Sequence, residues 1–218
     1  MNISNYLISN GIPETTVFLL LALPFISLLV SFFRHFVGVK TFGMYEPIVI
    51  AYSLFFISED FWVGLKFGLP ILLIAWVVSE ILKRFLEKAR LHYISKVSLK
   101  ISIASILMIA LLFSAVYFNK NGYFTVSALP IVIIIALVES LSLFQIKAGS
   151  LKANILTLET LLVSFVGYLL LSVNVLQTFL INYPYVVILP VVGNFFVGRW
   201  DGLRLTEYLR FRSSLKDD

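Results

Sequence analysis

Three carboxylates stand where a carboxylate is expensive. Glu46, Glu139 and Glu159 lie at the start of, or inside, stretches of almost unbroken apolar sequence: "MYEPIVIAYSLFFIS", "IIIALVESLSLF" and "ILTLETLLVSF". An ionised side chain at the centre of a lipid-spanning helix costs about 2.5–3.5 kcal/mol on insertion scales, so such a residue is a functional candidate by default. The chemistry open to it is narrow: it can hold an amine or relay a proton. Spacing from the nearest basic residues sets a depth. Glu139 precedes Lys147, Glu159 follows Lys152 and Glu46 follows Lys40. At the rise of a helix this places Glu139 and Glu159 roughly 10–12 Å inside one membrane boundary, with Glu46 in the same half. Asn194, shortly before Arg199, falls near that level. The expectation is a cytoplasm-facing pocket lined by Glu46, Glu139, Glu159 and Asn194. A second reading stays open, in which each glutamate is protonated or paired locally with a Ser, Thr, Tyr or Lys.

Other chemistries are excluded residue by residue. Cysteine is absent, which removes disulfides, thiolate metal sites and cysteine nucleophiles. Only His35 and His92 are present, neither in an HExxH pattern, and no P-loop occurs. No aspartate lies in an apolar stretch, and residues 180–198 hold no lysine for a retinal Schiff base. No metal and no cofactor is expected, and the balance leans away from an enzyme.

Helices must carry these residues. The chain has 218 residues, 60% of them hydrophobic and 13% charged, with a mean hydropathy of +0.97. A soluble fold could not cover that apolar surface, whereas a bilayer can. The expected fold is all-α and polytopic, a single membrane domain over residues 1–218. Its seven transmembrane helices fall at about 15–33, 43–58, 61–82, 100–118, 123–144, 153–173 and 180–198. The second window is short, with Glu46 and Pro47 at its entry, and reads either as a spanning helix with an irregular start or as part of a re-entrant element. The start "MNISNYLISNGIPE" does not read as a signal peptide, lacking a basic leading region, and the first helix is expected to begin near Pro13.

Lysine and arginine set the orientation. All but Lys66 and Lys120 of the 17 basic residues fall after the first, third, fifth and seventh windows, on one side. The positive-inside rule then places the N-terminus outside and the C-terminus in the cytoplasm, as in a multi-pass inner-membrane protein. Glu80, beside Lys83 and Arg84, reads as an interfacial ion pair. Pro24, Pro70, Pro130 and Pro190 fall inside windows, where neighbouring helices can satisfy the freed carbonyls.

The chain closes on "GRWDGLRLTEYLRFR", residues 198–212. Trp200 suits the headgroup belt, and Glu207 can pair with Arg204 or Arg210 three residues away. A short amphipathic segment within the tail 199–218 is expected. It either lies on the inner leaflet or docks a partner. Arginine forks favour a carboxylate or phosphate over diffuse attraction to lipid. Lys40, Arg199, Arg204, Glu207, Arg210 and Arg212 form this docking or anion-guiding set.

This ending resembles that of a bacterial family of seven-helix membrane domains usually fused to an inactive transglutaminase-like domain. "FRHFVGVKTFGMYEP", residues 33–47, is similar to the family's first inner loop and the start of its second helix. "LPIVIIIALVES", residues 129–140, is similar to its fifth helix, which carries a glutamate where Glu139 stands. The resemblance implies association with RimK-like ATP-grasp ligases, which join amino acids through acyl-phosphates. In the family the transglutaminase-like domain precedes the helices on the outer side. None is read in these 218 residues, which leaves open whether the protein works alone or with a separate extracytoplasmic subunit; membrane lipid and the ligase are the other partners implied. Nucleic acid is not.

Three functions follow. The first is a non-catalytic membrane subunit of a system that makes, anchors or moves peptide or amino-acid polymers made by a cytoplasmic ATP-grasp ligase. The second is a stand-alone proton-coupled secondary transporter using the same glutamates. The third is a membrane-embedded transferase, for which glutamate supplies a base but no nucleophile is identified.

Overall fold

Lipid offers the backbone no hydrogen-bond partner, so an apolar chain must satisfy its own N–H and C=O groups, and the helix does this locally. The computed structural model describes residues 3–88, 92–117, 130–135, 137, 140–141, 149–199 and 202, and every regular element among them is helical. The elements are α1 (Ile3–Ser9), α2 (Glu14–Phe32) with a π turn (Phe33–Val37), α3 (Tyr45–Ile57), α4 (Phe61–Lys88), α5 (Tyr93–Tyr117), α6 (Ser150–Leu171), α7 (Asn174–Asn182), a 3-10 turn (Pro184–Val187) and α8 (Ile188–Gly198).

Four of the described helices are long and apolar enough to cross a bilayer: Glu14–Val37, Phe61–Leu82, Ile94–Ser114 and Leu151–Leu171. α3 has 13 residues and runs about 20 Å, against a hydrocarbon core of about 30 Å. The window 123–144 is described at residues 130–135, 137, 140 and 141, all helical. α5 begins at Tyr93, seven residues before the window that starts at 100, so Lys100 lies within the helix, only 5% exposed.

The last window, 180–198, is not one helix. Residues up to Asn182 belong to α7, and the chain turns by 103° before Pro184–Gly198. The cause is local. Pro184 has no N–H to donate and crowds the residue before it out of the helical region, and Tyr183 sits at φ −127°, ψ 66°.

The chain divides into two compact units, Met1–Ile48 with Glu159–Asp218, and Val49–Leu158. In the first, α2 is the spine. Pro13 precedes it with extended geometry, and Glu14 lies in its first turn. Phe18, Ala22, Ile26 and Val30, spaced by four, are buried, while Leu20, Leu23 and Phe32 are exposed. A helix that is apolar all round, with one row buried, suits a lipid-facing site. α1, α7, the 3-10 turn and α8 pack against α2. At Gly193 α8 comes close to α2: a Cβ built there would lie 3.0 Å and 3.2 Å from the two methyl carbons of Leu28.

In the second unit α4 packs on α5. Gly68 of α4 meets Leu54 and Ile57 of α3 so closely that a Cβ would overlap the Leu54 side chain. The Trp76 indole N–H donates to Asn154 Oδ1 at 3.3 Å and ties α4 to the start of α6.

The α2–α8 seam yields a prediction. Gly193→Leu should destabilise the protein in detergent by about 1–3 kcal/mol through overpacking. Adding Leu28→Ala should recover part of that loss. Thermal unfolding of the single and double variants measures both.

Candidate functional site

The first connection between spans, residues 38–44, brings two of the three glutamates together. It begins where α2 widens into the π turn. The Gly38 and Val39 N–H groups both donate to the Phe33 carbonyl, at 3.0 Å and 3.1 Å. Gly38 takes φ +84°, a left-handed conformation that closes the helix and that glycine adopts without strain. Beyond it the backbone is irregular, so its N–H groups need acceptors from elsewhere.

α6 supplies them from two consecutive residues. The Lys40 N–H donates to Glu159 Oε2 at 2.7 Å. The Phe42 N–H donates to Thr160 Oγ1 at 3.2 Å. Between these two anchors Thr41 is buried, and its hydroxyl donates to the Gly43 carbonyl at 2.6 Å. Glu46, in the first turn of α3, folds back over Gly43, where a Cβ would lie 2.5 Å from Glu46 Oε2. A side chain at 43 would have to displace the Glu46 carboxylate, the mobile end of a flexible side chain. At 2.7 Å the bond to Glu159 is at the short end of the N–H···O range.

Glu159 and Glu46 are thus gathered on one segment, residues 40–43. Glu139 lies outside the described residues, as do Arg204, Glu207, Arg210 and Arg212. Asn194 is half-buried on α8, next to the Gly193–Leu28 contact. Lys40 is exposed although its backbone is fixed. Arg199 is exposed at the end of α8, its guanidinium 4.6 Å from the Phe195 ring centroid. α7 packs against α1 at the start of α2, so α8 sets out from that end and runs in the same direction as α2. Counting six residues on from Leu28 and from Gly193 reaches Arg34 and Arg199, which therefore stand at similar heights toward the loop end.

Some members of this cluster carry no costly charge and were not singled out by sequence: Thr41, Gly43, Thr160 and the His35–Ser31 pair. The His35 Nδ1 lies 3.0 Å from the Ser31 carbonyl within the π turn. Thr160, Ser164 and Tyr168 form a buried polar row with a spacing of four on α6, and the Ser164 hydroxyl donates to the Thr160 carbonyl at 2.7 Å. That spacing was the available signal.

Chemically, one Glu159 oxygen holds the loop, and a carboxylate has further lone pairs for a proton or a cation. The arrangement can couple the state of one acid to the position of a basic loop. Glu159→Leu should remove the acceptor of the Lys40 N–H and, the bond being exposed, cost about 0.5–1.5 kcal/mol, whereas Glu159→Gln, which keeps an acceptor oxygen, should cost less. Because the chain has no cysteine, Lys40→Cys is a clean reporter. Its labelling by a water-soluble maleimide should speed up in the Leu background and little in the Gln background.

No curated protein and no solved structure matches the chain. One family does, over residues 3–215, and with nearly every residue of the sequence inside that match the protein belongs to the family of seven transmembrane helices usually fused to an inactive transglutaminase.

Proposed function

We propose that the protein is a non-catalytic membrane subunit of a system that makes, anchors or moves a peptide or amino-acid polymer produced by a cytoplasmic ATP-grasp ligase. The membrane domain of this family usually accompanies an inactive enzyme domain, which fits a role in binding and positioning. The observation that carries the reading is the anchored loop. Glu159 and Thr160 fix the backbone around Lys40 and leave its ammonium exposed. With Arg34 and Arg199 level at the same end, this is a rigid basic rim suited to carboxylate or phosphate. The N-out, C-in orientation in the inner membrane turns that rim, and the arginine-rich tail, toward the cytoplasm. The Glu159 carboxylate beneath the rim is placed to accept the amine of an incoming product.

The test is retention of a RimK-like ligase on the detergent-solubilised, immobilised protein. Changing Arg199, Arg204, Arg210 and Arg212 together to Gln should lower retention at least about tenfold, a loss near 1.4 kcal/mol. Raised salt should weaken the unmodified pair in the same direction. Equal retention by the Gln variant would remove the docking role.

The sharp break at Tyr183 favours one further reading, since secondary transporters build substrate sites from interrupted helices. In that case purified protein in proteoliposomes takes up an amino acid or short peptide faster with a pH gradient. Glu139→Gln or Glu159→Gln should abolish the gradient dependence. Uptake indifferent to both substitutions would exclude proton coupling through these acids.

A further inference from the structure

The end of the first unit remote from the loop is built differently. Residues 3–13 and 172–187 contain no Lys, Arg, Asp or Glu, and Glu14 in the first turn of α2 is exposed beside them. Two short helices lie there, α1 and α7, packed on each other and on α2. The Gln177 side chain donates to the Leu171 carbonyl at 3.0 Å and binds the start of α7 to the end of α6.

α7 has three faces. Leu180 and Ile181 are buried. Asn174, Thr178 and Asn182, spaced by four, form an exposed polar row. Val175 (78% exposed) and Phe179 (44%) form an exposed apolar row beside it. At the elbow Tyr183 and Tyr185 extend the apolar row, with the Tyr183 ring 5.4 Å from Phe179 and 5.9 Å from Tyr185 between centroids. α1 repeats the division: Ser4 is buried, Asn5 and Ser9 are exposed and polar, and Ile3 and Tyr6 are exposed and largely apolar.

We propose that α7, with α1 beside it, lies in the plane of the bilayer surface. The Val175–Phe179 row and the two elbow tyrosines would insert into the acyl boundary, and the Asn174–Thr178–Asn182 row would face water. The occupant of the apolar row is lipid. A bend of 103° carries α7 nearly perpendicular to Pro184–Gly198, which accompanies the spanning α2. A polar row and an apolar row running side by side along one helix describe a straight water–lipid boundary parallel to its axis. Tyrosines with exposed rings are the side chains that collect at that boundary. With no charged side chain on α1 or α7, their grip is hydrophobic and owes nothing to anionic headgroups, in contrast to the basic rim. The inference stands apart from any ligase or transport role.

Single spin labels at N174C, V175C, T178C and F179C, one per variant in this cysteine-free chain, test it in phosphatidylcholine vesicles. The ratio of oxygen to nickel-chelate accessibility should be several-fold higher at 175 and 179 than at 174 and 178, and unchanged by added salt. Similar chelate access at all four positions would overturn the proposal, showing α7 in water. Shielding of 175 and 179 from both reagents would also overturn it, showing a protein partner or a second copy over the row. A label at Tyr6 on α1, independent of any disturbance in α7, should give the lipid-like ratio too; a water-like ratio there would remove α1 from the assignment.

Discussion

An irregular stretch of backbone next to lipid has to find acceptors for its N–H groups, and in the first unit that demand is met by Glu159 and Thr160. Helices need nothing of the kind. The segment 38–44 does, because Gly38 has ended the helix and α3 has not begun. Two consecutive residues of α6 hold alternate residues of that segment, so α6 from Glu159 onward is tied to the exit of α2 and the start of α3. The glutamate that is costly as an isolated charge becomes a structural group once a backbone donor faces it. The same bond leaves the acid at the base of a basic loop, where its occupancy bears on loop position.

The two ends of α2 meet their surroundings by different physics. At its far end Arg34, Lys40 and Arg199 present fixed charge above the anchored loop. At its near end α1 and α7 present amides, hydroxyls, tyrosines and aliphatic groups without a formal charge. Electrostatic attraction is screened within about 8–10 Å at ordinary ionic strength and favours partners with anionic groups. Burial of apolar surface is not screened by salt. The two ends are therefore held by different forces, fixed charge at one and apolar burial at the other.

What the sequence made legible was length and cost. Long apolar runs announce spans because no other environment accepts them, and Glu159 stood out because burying it is expensive. Its partner was not legible, since a backbone N–H belongs to every residue but proline and leaves no trace in residue type. Thr160 and Gly43 were passed over for the same reason: one looks like an ordinary helical threonine, the other like an ordinary turn. Pro184 was visible near the start of a window, yet an apolar count does not register that it breaks the helix at Tyr183. Lys100 was counted among the basic residues that follow the third window because the next apolar window began there, while helix geometry continued back to Tyr93 and drew it inside.

The shortness of Pro184–Gly198 and the flat course proposed for α7 explain one another. Pro184–Gly198 comprises a four-residue 3-10 turn and an eleven-residue helix, together about 22–25 Å, less than the roughly 30 Å of hydrocarbon. Tracing back from Gly193, which meets Leu28, puts Pro184 about level with Phe18 or Leu19. That is about 6–8 Å along α2 from Glu14. An amphipathic helix resting at a membrane surface sinks its apolar side about 5–10 Å below the headgroups, the same range. The span can begin that far in because the elbow is already below the surface, with the Tyr183 and Tyr185 rings at the depth where such rings settle.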